Sequence, residues 1–193
     1  MTDRTTERAQ RRPQEKRARL LSAARQTFAQ AGYAASVHQI CRAAGVGIGT
    51  FYHQFPDKAE LMRHLMDEEH DLRVRTFDAL GATNDQIAAD VVRVLSGSDP
   101  ALLRAMIEAC GVDAQLRDHG RDLRRDSKEH LAAAFDRIRE ARDRRHPAVD
   151  AKTAAWVTLA LGDSKLDSDT AAAAGNVIEV LAFAETGGGG LTG

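Results

Sequence analysis

The fold is decided by residues 32–58, which read GYAASVHQICRAAGVGIGTFYHQFPDK. Two short helices that cross at a steep angle need apolar residues at fixed places. This stretch has them at Ile40, Ala44, Val46 and Phe51. Cys41 supplies a small side chain where such helices come closest, and Gly45 suits a turn whose backbone takes a positive φ. The spacing therefore predicts a helix-turn-helix over about residues 36–55.

Capping signals predict where the neighbouring helices begin and end. Ser36 and Gln39 have the spacing of a capping box, in which each residue bonds the backbone of the other at the start of a helix. Pro56 ends the second helix of the motif. Asp57 and Glu60 repeat the capping pattern, and a further helix is expected to follow them.

The rest of the chain also has a helical pattern. Alternating strand patterns are absent, only four residues are Pro, and Ala, Leu, Arg and Glu dominate. The pattern predicts an all-α fold. Outside the motif, the expected helices cover about residues 13–31, 57–80, 85–96, 101–111, 113–145, 149–161 and 169–185.

Four regions follow from these boundaries. They are a flexible basic arm at residues 1–12, a three-helix helix-turn-helix domain at 13–58, a larger helical domain at 59–186 and a disordered Gly-rich tail at 187–193. A helix-turn-helix places its second helix in the major groove of DNA, so the second region is expected to bind DNA.

Charge is distributed unevenly along the chain. Residues 1–58 carry ten Lys and Arg against four Asp and Glu, although the whole chain has a formal net charge of −1. The remaining residues carry seventeen basic against twenty-four acidic side chains. A basic end on an acidic body is typical of a protein that docks on a polyanion by one face.

Several other classes of protein are disfavoured. The two cysteines form no disulfide framework, and the seven histidines show no metal-ligand spacing, so we expect no metal ion and no cofactor. No pair of nucleophile and base indicates an enzyme, and no catalytic residue is predicted. No stretch approaches the roughly 20 apolar residues that span a bilayer, and the polar N-terminus is not a secretory signal. We expect a cytoplasmic protein.

The motif and its flanks resemble the TetR (tetracycline-repressor) family of transcriptional regulators. The resemblance covers about residues 14–66. Its matching positions are Phe28, Gly32, Tyr33, Ser36, Val37, Ile40, Ala44, Gly45, Val46, Gly49, Thr50, Phe51, Tyr52, Phe55, Lys58 and Leu61. Cys41 and Gly47 depart from the Ala and Ser that are usual there.

The first turn of a recognition helix meets base edges, and here that turn holds Gly47, Ile48, Gly49 and Thr50. The resemblance implies that Tyr52, His53 and Lys58 hold phosphates, together with Ser36 and His38 at the start of the first helix of the motif. The full predicted DNA-binding set is Ser36, Val37, His38, Arg42, Gly47, Ile48, Gly49, Thr50, Tyr52, His53 and Lys58. Arg4, Arg8, Arg11 and Arg12 form either a solvated mobile arm or a minor-groove reader.

In the resembling family, the larger helical domain houses a pocket for a small effector, lined by the middle helices. Apolar candidates for the effector pocket are Met62, Met66, Met106, Phe135 and Trp156, each of which could equally be core. The last two predicted helices are apolar nearly all round, so we expect one face to pack on a second subunit. The predicted interface residues are Ala154, Trp156, Ala174, Val177, Ile178 and Leu181.

The sequence thus predicts a homodimeric repressor that binds a palindromic DNA operator and is released from it by a small-molecule effector. The alternative is a DNA-organising or cell-division protein of the same fold without an effector. Cys41 is either a packing residue or a redox switch, and the sequence favours packing.

Overall fold

The computed structural model describes residues 4–80, 91, 99–141 and 150–162, with the backbone alone at 4–12, 156 and 159–162. Within those residues the chain forms helices and no strand, which confirms the all-α prediction. The helices are α1 (Arg4–Ala31), α2 (Val37–Ala44), α3 (Ile48–Gln54), α4 (Lys58–Ala79), α5 (Pro100–Val112), α6 (Ala114–Ala141) and α7 (Ala151–Gly162). The predicted helices at 85–96 and 169–185, except Val91, and the predicted tail lie outside the described residues.

The chain divides into two compact units. The first comprises residues 1–68 and 99–121, and the second comprises residues 69–98 and 122–193. The first unit therefore extends beyond residue 58, where the sequence predicted the end of the DNA-binding domain. It takes in α5 because that helix packs on α1. No helix among the described residues is long and apolar enough to cross a membrane.

The first helix is longer than predicted. α1 begins at Arg4, and Pro13 lies inside it, whereas the sequence predicted a flexible arm followed by a helix from Pro13. Proline breaks helices by removing one backbone hydrogen bond and crowding the preceding turn. Residues 4–12 contain no glycine, and seven of the nine are Arg, Ala, Gln or Glu, all residue types that favour helix before the proline.

The core of the first unit is built by one stripe of α1 and the two helices of the motif. Leu20, Ala24 and Phe28 of this stripe are fully buried. From the motif and the start of α4, the buried side chains are Ile40, Cys41, Ala44, Phe51, Phe55, Leu61, Met62 and Leu65. Their burial fixes the inner faces of α2 and α3 and leaves the opposite faces of both helices in solvent.

The second unit has its own core. Phe77 from α4 is fully buried, as are Leu131, Phe135 and Ile138 from α6. Leu72 of α4 is 57% exposed. Phe77, five residues later and about 140° round the helix from Leu72, is fully buried, so Leu72 does not share its buried side.

Candidate nucleic-acid interface

The start of α2 is fixed by the predicted capping box. The backbone N–H of Gln39 donates to Ser36 Oγ at 3.3 Å, and the N–H of Ser36 donates to Gln39 Oε1 at 2.7 Å. These bonds satisfy donors that a helix start leaves without partners. Ser36 and His38 are exposed beside the cap, and Val37 is half-buried. The predicted contact residues at the start of α2 thus sit on a rigid backbone.

The turn between α2 and α3 depends on Gly45. Its φ is +63°, in the left-handed region that favours glycine. The N–H of Gly45 donates to the carbonyl of Arg42, and that of Val46 donates to Cys41, in the arrangement of a Schellman motif. A Cβ at Gly45 would lie only 2.8 Å from Arg19 Nη2. The backbone conformation therefore requires glycine here, and a larger residue would also displace the end of the Arg19 side chain.

Arg19 explains that close approach. Its Nη2 donates to the carbonyl of Ala44 at 2.6 Å and to that of Gly45 at 3.2 Å. The last carbonyls of a helix have no partner within the helix, and the C-terminal end of the helix dipole attracts a cation. An arginine of α1 thus caps the end of α2, immediately before the recognition helix.

The recognition helix α3 has a buried side and an exposed side. Phe51 and Phe55 are fully buried, with ring centroids 5.9 Å apart. Tyr52 is 55% exposed and Ile48 is 37% exposed. His53 is also exposed, and Thr50 is half-buried. The aromatic side chain of Tyr52 therefore belongs to the surface and not to the core.

The two glycines at the start of α3 leave its backbone open. A Cβ added at Gly47 or at Gly49 would meet no atom within 4 Å. Neither position needs glycine for packing within this chain. Gly47 provides no side chain to cap the helix, so the first N–H groups of α3 have no side-chain acceptor from that residue. A ligand backbone could approach this end closely.

Arg17 holds the other end of α3. Its Nη1 donates to the carbonyl of Gln54 at 3.1 Å, and its guanidinium carbon lies 4.4 Å from the centroid of the Phe55 ring. Its Nη2 lies 2.7 Å from His64 Nε2. One side chain of α1 therefore contacts both α3 and α4.

Lys58 has a structural role at the α1–α2 junction. Its Nζ donates to the carbonyl of Tyr33 at 2.7 Å and to that of Ala35 at 3.3 Å, and lies 4.1 Å from the centroid of the Tyr33 ring. Burial lowers the pKa of the Lys58 ammonium. The phosphate contact predicted for Lys58 stays a prediction, because two donors are already engaged inside the protein.

Glu108 of α5 holds the same junction from the other side. The backbone N–H of Tyr33 donates to Glu108 Oε2 at 2.9 Å. Gly32 ends α1 with a φ of +68°, and a Cβ there would lie 2.5 Å from the same carboxylate oxygen. Gly32 is thus required both by its conformation and by the approach of Glu108.

The structure brings the predicted DNA-binding residues together within the first unit. The exposed members are Ser36, His38, Arg42, Gly47, Ile48, Gly49, Tyr52 and His53. Sequence reasoning missed Arg17, Arg19 and Glu108, which support this surface. The basic side chains were counted only as charge, and no local pattern indicates which distant carbonyl an arginine bonds.

Cys41 is a packing residue by its surroundings. Only 5% of it is exposed, and it lies where α2 approaches its neighbours. Burial raises the pKa of the Cys41 thiol, so the reactive thiolate is disfavoured. Both observations support the packing role that the sequence favoured.

Residues 20–65 match the family model described as bacterial regulatory proteins, tetR family. The chain thus carries a domain that matches the DNA-binding domain of the TetR family. Proteins of this family are DNA-binding transcriptional regulators. The matched segment contains α2 and α3 with the supporting stretches of α1 and α4.

Solved structures share the fold over most of the chain. GusR of Salmonella enterica is 23% identical with a TM-score of 0.71, and the match covers 86% of this chain and 95% of that one. FadR of Bacillus subtilis, solved in complex with stearoyl-CoA, is 19% identical with a TM-score of 0.64, over 86% and 98% of the chains. A tetR-family regulatory protein from Rhodococcus RHA1 is 20% identical with a TM-score of 0.65, over 88% and 96%. No curated protein matches the sequence.

The effector-pocket candidates are distributed over both units. Met62, Met66 and Met106 belong to the first unit, and Phe135 belongs to the second. All four are buried apolar side chains, which fits a core as well as a pocket. The side chain of Trp156 lies outside the described residues. The pocket therefore stays a prediction.

The predicted dimer interface is described at a single position. Ala154 of α7 has no exposed surface in the single chain, so any part that it takes in an interface is indirect. The side chain of Trp156 and the residues Ala174, Val177, Ile178 and Leu181 lie outside the described residues. Among the described residues, no group of three or more His, Cys, Asp and Glu could hold a metal ion.

Proposed function

We propose that this TetR-family regulator is a cytoplasmic, homodimeric repressor that binds a palindromic operator and leaves it when a small effector binds. The observation that carries the proposal is the exposed side of α3. Tyr52 and Ile48 face solvent on a helix whose inner side is fixed by Phe51 and Phe55. A rigid helix with an open outer side suits insertion into a major groove.

Specific roles follow from position in the motif. Ile48 can contact a thymine methyl group, and Thr50 can bond a base or a phosphate. Gly47 and Gly49 let the backbone approach the groove. Phosphates would be held by exposed polar side chains around this end, namely Ser36, His38, Arg42, Tyr52 and His53, with Val37 beside them.

The limited set of polar side chains at the start of α3 has a consequence for specificity. No Arg, Asn or Gln stands at residues 47–50, so no bidentate bond to guanine or adenine comes from this turn. Specificity must then depend strongly on apolar contacts and on the shape of the operator. We expect the preferred half-site to contain thymines opposite Ile48.

The proposal that an effector binds is supported by a solved structure of the same fold. FadR of Bacillus subtilis was solved with stearoyl-CoA, and this chain shares its fold. An apolar effector would suit the apolar pocket candidates predicted from the sequence. To release DNA, the effector must prefer the dimer geometry that fits DNA badly, by the free energy that it removes from DNA binding.

The proposed dimer explains why the operator should be palindromic. A two-fold pair of recognition helices contacts two half-sites about one helical turn apart, so the operator has the symmetry of the protein. The final two predicted helices would form the seam through apolar residues such as Val177, Ile178 and Leu181.

Selection of bound duplexes from a random pool tests the proposal directly. The expected result is an inverted repeat, which the dimer binds about 10³-fold or more tightly than unrelated DNA. Genome-wide occupancy then separates a repressor, at one or a few promoters, from a DNA-organising protein at many dispersed sites. Enrichment of no sequence would contradict operator binding.

A further inference from the structure

We propose that His64 of α4 is a positioning residue for the recognition helix, and that protonation of its ring weakens the preference of the protein for its operator. The inference rests on the proposed DNA-binding function and adds to it a control by pH. His64 acts through Arg17, the side chain of α1 that bonds the end of α3.

The first observation is the position of one ring nitrogen. Nε2 of His64 lies 2.7 Å from Arg17 Nη2 and 3.3 Å from Glu60 Oε1. An arginine nitrogen can only donate a hydrogen bond, whereas a carboxylate oxygen can only accept one. A bare Nε2 can therefore accept from Arg17, and an Nε2 that carries a proton can donate to Glu60. The two bonds exclude each other.

Protonation of the ring decides between these two bonds. A protonated imidazole carries a proton on both nitrogens, so it has no acceptor left for Arg17. It also places a positive charge at hydrogen-bond distance from the guanidinium. Arg17, Glu60 and His64 are all half-buried, so solvent screens this repulsion less than it would at an open surface. The protonated ring should turn towards Glu60 and away from Arg17.

The second observation is that Arg17 and His64 both contact the end of α3. Arg17 donates to the carbonyl of Gln54 at 3.1 Å, and its guanidinium carbon lies 4.4 Å from the centroid of the Phe55 ring. The His64 ring packs edge-on against the same ring, with centroids 5.5 Å apart. Phe55 is fully buried and ends α3. A change of partner at His64 therefore reaches the last turn of the recognition helix.

The third observation is that Glu60 is held as a carboxylate. Arg63 donates to Glu60 Oε2 from Nε at 2.9 Å and to Oε1 from Nη2 at 2.6 Å. These hydrogen bonds keep the pKa of the Glu60 carboxyl below its ordinary value, although burial opposes them. Histidine side chains ordinarily change charge between about pH 5 and 8. Glu60 therefore stays negative over the range in which a histidine titrates.

The other charged groups near His64 have partners of their own. Asp67 accepts from Arg63 at 3.2 Å and lies 2.6 Å from His119 Nε2. Glu68 pairs with Arg25 at 2.7 Å. Within the described part of the chain, the charged groups at hydrogen-bond distance from the His64 ring are one from α1 and one from α4, while α3 contributes an aromatic ring.

The sign of the pH effect follows from this arrangement. The bound state prefers the ring that accepts from Arg17, so DNA binding releases a proton, and affinity falls as pH decreases through the titration of His64. His38 and His53 are exposed on α2 and α3, and their protonation would instead strengthen phosphate binding. The effect of His64 must therefore be measured against a variant that keeps both of these histidines.

The test compares the wild type with three variants of the full chain. His64→Gln keeps an oxygen acceptor and a nitrogen donor on a side chain that does not titrate. Glu60→Gln removes the charge towards which the protonated ring turns. His119→Gln is the matched control, because His119 contacts Asp67 on α4. Affinities for a selected duplex and a mixed-sequence duplex are measured between about pH 5.5 and 8 at constant ionic strength, with the thermal midpoint as a folding control.

Between about pH 7.5 and 5.5, the wild type should lose about fivefold or more of its preference for the selected duplex relative to His64→Gln. His119→Gln should follow the wild type. In Glu60→Gln the loss should begin at lower pH, because the carboxylate that favours the protonated ring is gone.

Three results would overturn the proposal. The first is a pH profile of His64→Gln with the same shape as that of the wild type, with or without a constant offset, because a merely structural role gives that result. The second is a His119→Gln profile that matches His64→Gln. The third is a Glu60→Gln protein whose loss begins at the same pH as in the wild type.

Heteronuclear NMR of the wild type provides a readout that needs no substitution. The amide of Phe55 donates to the carbonyl of Phe51 at 2.8 Å in the last turn of α3. This amide and the ring nitrogens of His64 should titrate with the same midpoint. A Phe55 amide that does not follow His64 would overturn the proposal even if His64→Gln failed to fold.

Failure of this proposal can be distinguished from failure of the proposed function. A wild type that prefers neither duplex at any pH would overturn operator binding together with the control by pH. A wild type that keeps its preference for the selected duplex, with the same pH profile as His64→Gln, would refute the control by pH alone.

Discussion

Arg17 donates from Nη1 to the carbonyl oxygen of Gln54 at 3.1 Å, so the first helix of the chain fixes the last residue of the recognition helix. Arg19, two residues later, fixes the end of α2 in the same way. The two arginines use the ends of helices, where carbonyls lack partners and the dipole attracts a cation. α1 thus supports both helices of the motif, because Arg19 bonds the end of α2 and Arg17 bonds the end of α3.

Arg17→Ala should weaken both folding and DNA binding. It removes a charged hydrogen bond and the packing of the guanidinium on Phe55, so we expect unfolding to become easier by about 1–3 kcal/mol. Arg17→Lys should have stability and DNA affinity between those of the wild type and Arg17→Ala, because lysine keeps the charge but lacks the planar guanidinium. Lys16→Ala is the matched control at an exposed neighbour. Denaturant unfolding and duplex affinity measure the effects, and equal stability of Arg17→Ala and Lys16→Ala would refute the role.

Gly45 and Gly49 should respond oppositely to alanine. Gly45→Ala should destabilise by about 1–2 kcal/mol for the left-handed backbone, with a further cost from Arg19 Nη2. Gly49→Ala should stabilise by up to about 1 kcal/mol, because its Cβ meets no atom and alanine favours helix. The same Gly49→Ala should weaken DNA binding if the backbone approaches the groove. Thermal midpoints and affinities test both, and a destabilised Gly49→Ala would contradict the open position.

Glu108 should act as a positioning residue for the motif. Glu108→Ala leaves the N–H of Tyr33 without its acceptor, at a cost of about 1–3 kcal/mol, and should also lower DNA affinity. Glu108→Gln keeps an oxygen acceptor and should recover most of both properties. Ile107→Ala, at an exposed neighbour, is the control. If Glu108→Gln is no more stable than Glu108→Ala and binds DNA no more tightly, the hydrogen bond to Tyr33 does not explain the effect of Glu108.

Assembly should depend on the last predicted helix. Ile178→Asp or Leu181→Asp would bury an unpaired charge at the proposed seam, which costs several kcal/mol. Leu72→Asp is the control, since Leu72 is largely exposed. Light scattering at micromolar concentration should show monomers for Ile178→Asp and Leu181→Asp, which should also lose operator binding. Leu72→Asp should remain a dimer. A monomeric wild type would contradict the proposed dimer. An Ile178→Asp protein that still forms dimers would contradict the proposed position of the interface.

The local features of the motif could be predicted from sequence because each depends on a few neighbouring residues. The capping box of Ser36 and Gln39, the positive φ of Gly45 and the burial of Phe51 follow from spacing within one or two helical turns. The outward position of Tyr52 follows in the same way, because Phe51 and Phe55 occupy the inner side.

The supporting contacts could not be predicted, because they join residues far apart in the chain. Arg17 and Gln54 are 37 residues apart, and Tyr33 and Glu108 are 75 apart. The sequence pattern around Arg17 and Arg19 does not differ from that around a solvent-exposed arginine. The start of α1 was also predicted too late, because proline favours the first helical turn and Pro13 gave a reason to begin the helix there.

The most direct test of the central claim is the affinity of wild type, Thr50→Ala and Tyr52→Phe for a selected duplex and a scrambled one. The wild type should prefer the selected duplex by about 10³-fold or more. Thr50→Ala should change which half-site is preferred, and Tyr52→Phe should weaken both duplexes alike because it loses a phosphate contact. A wild type that binds both duplexes equally, with Thr50→Ala unchanged, would contradict sequence-specific DNA recognition by α3.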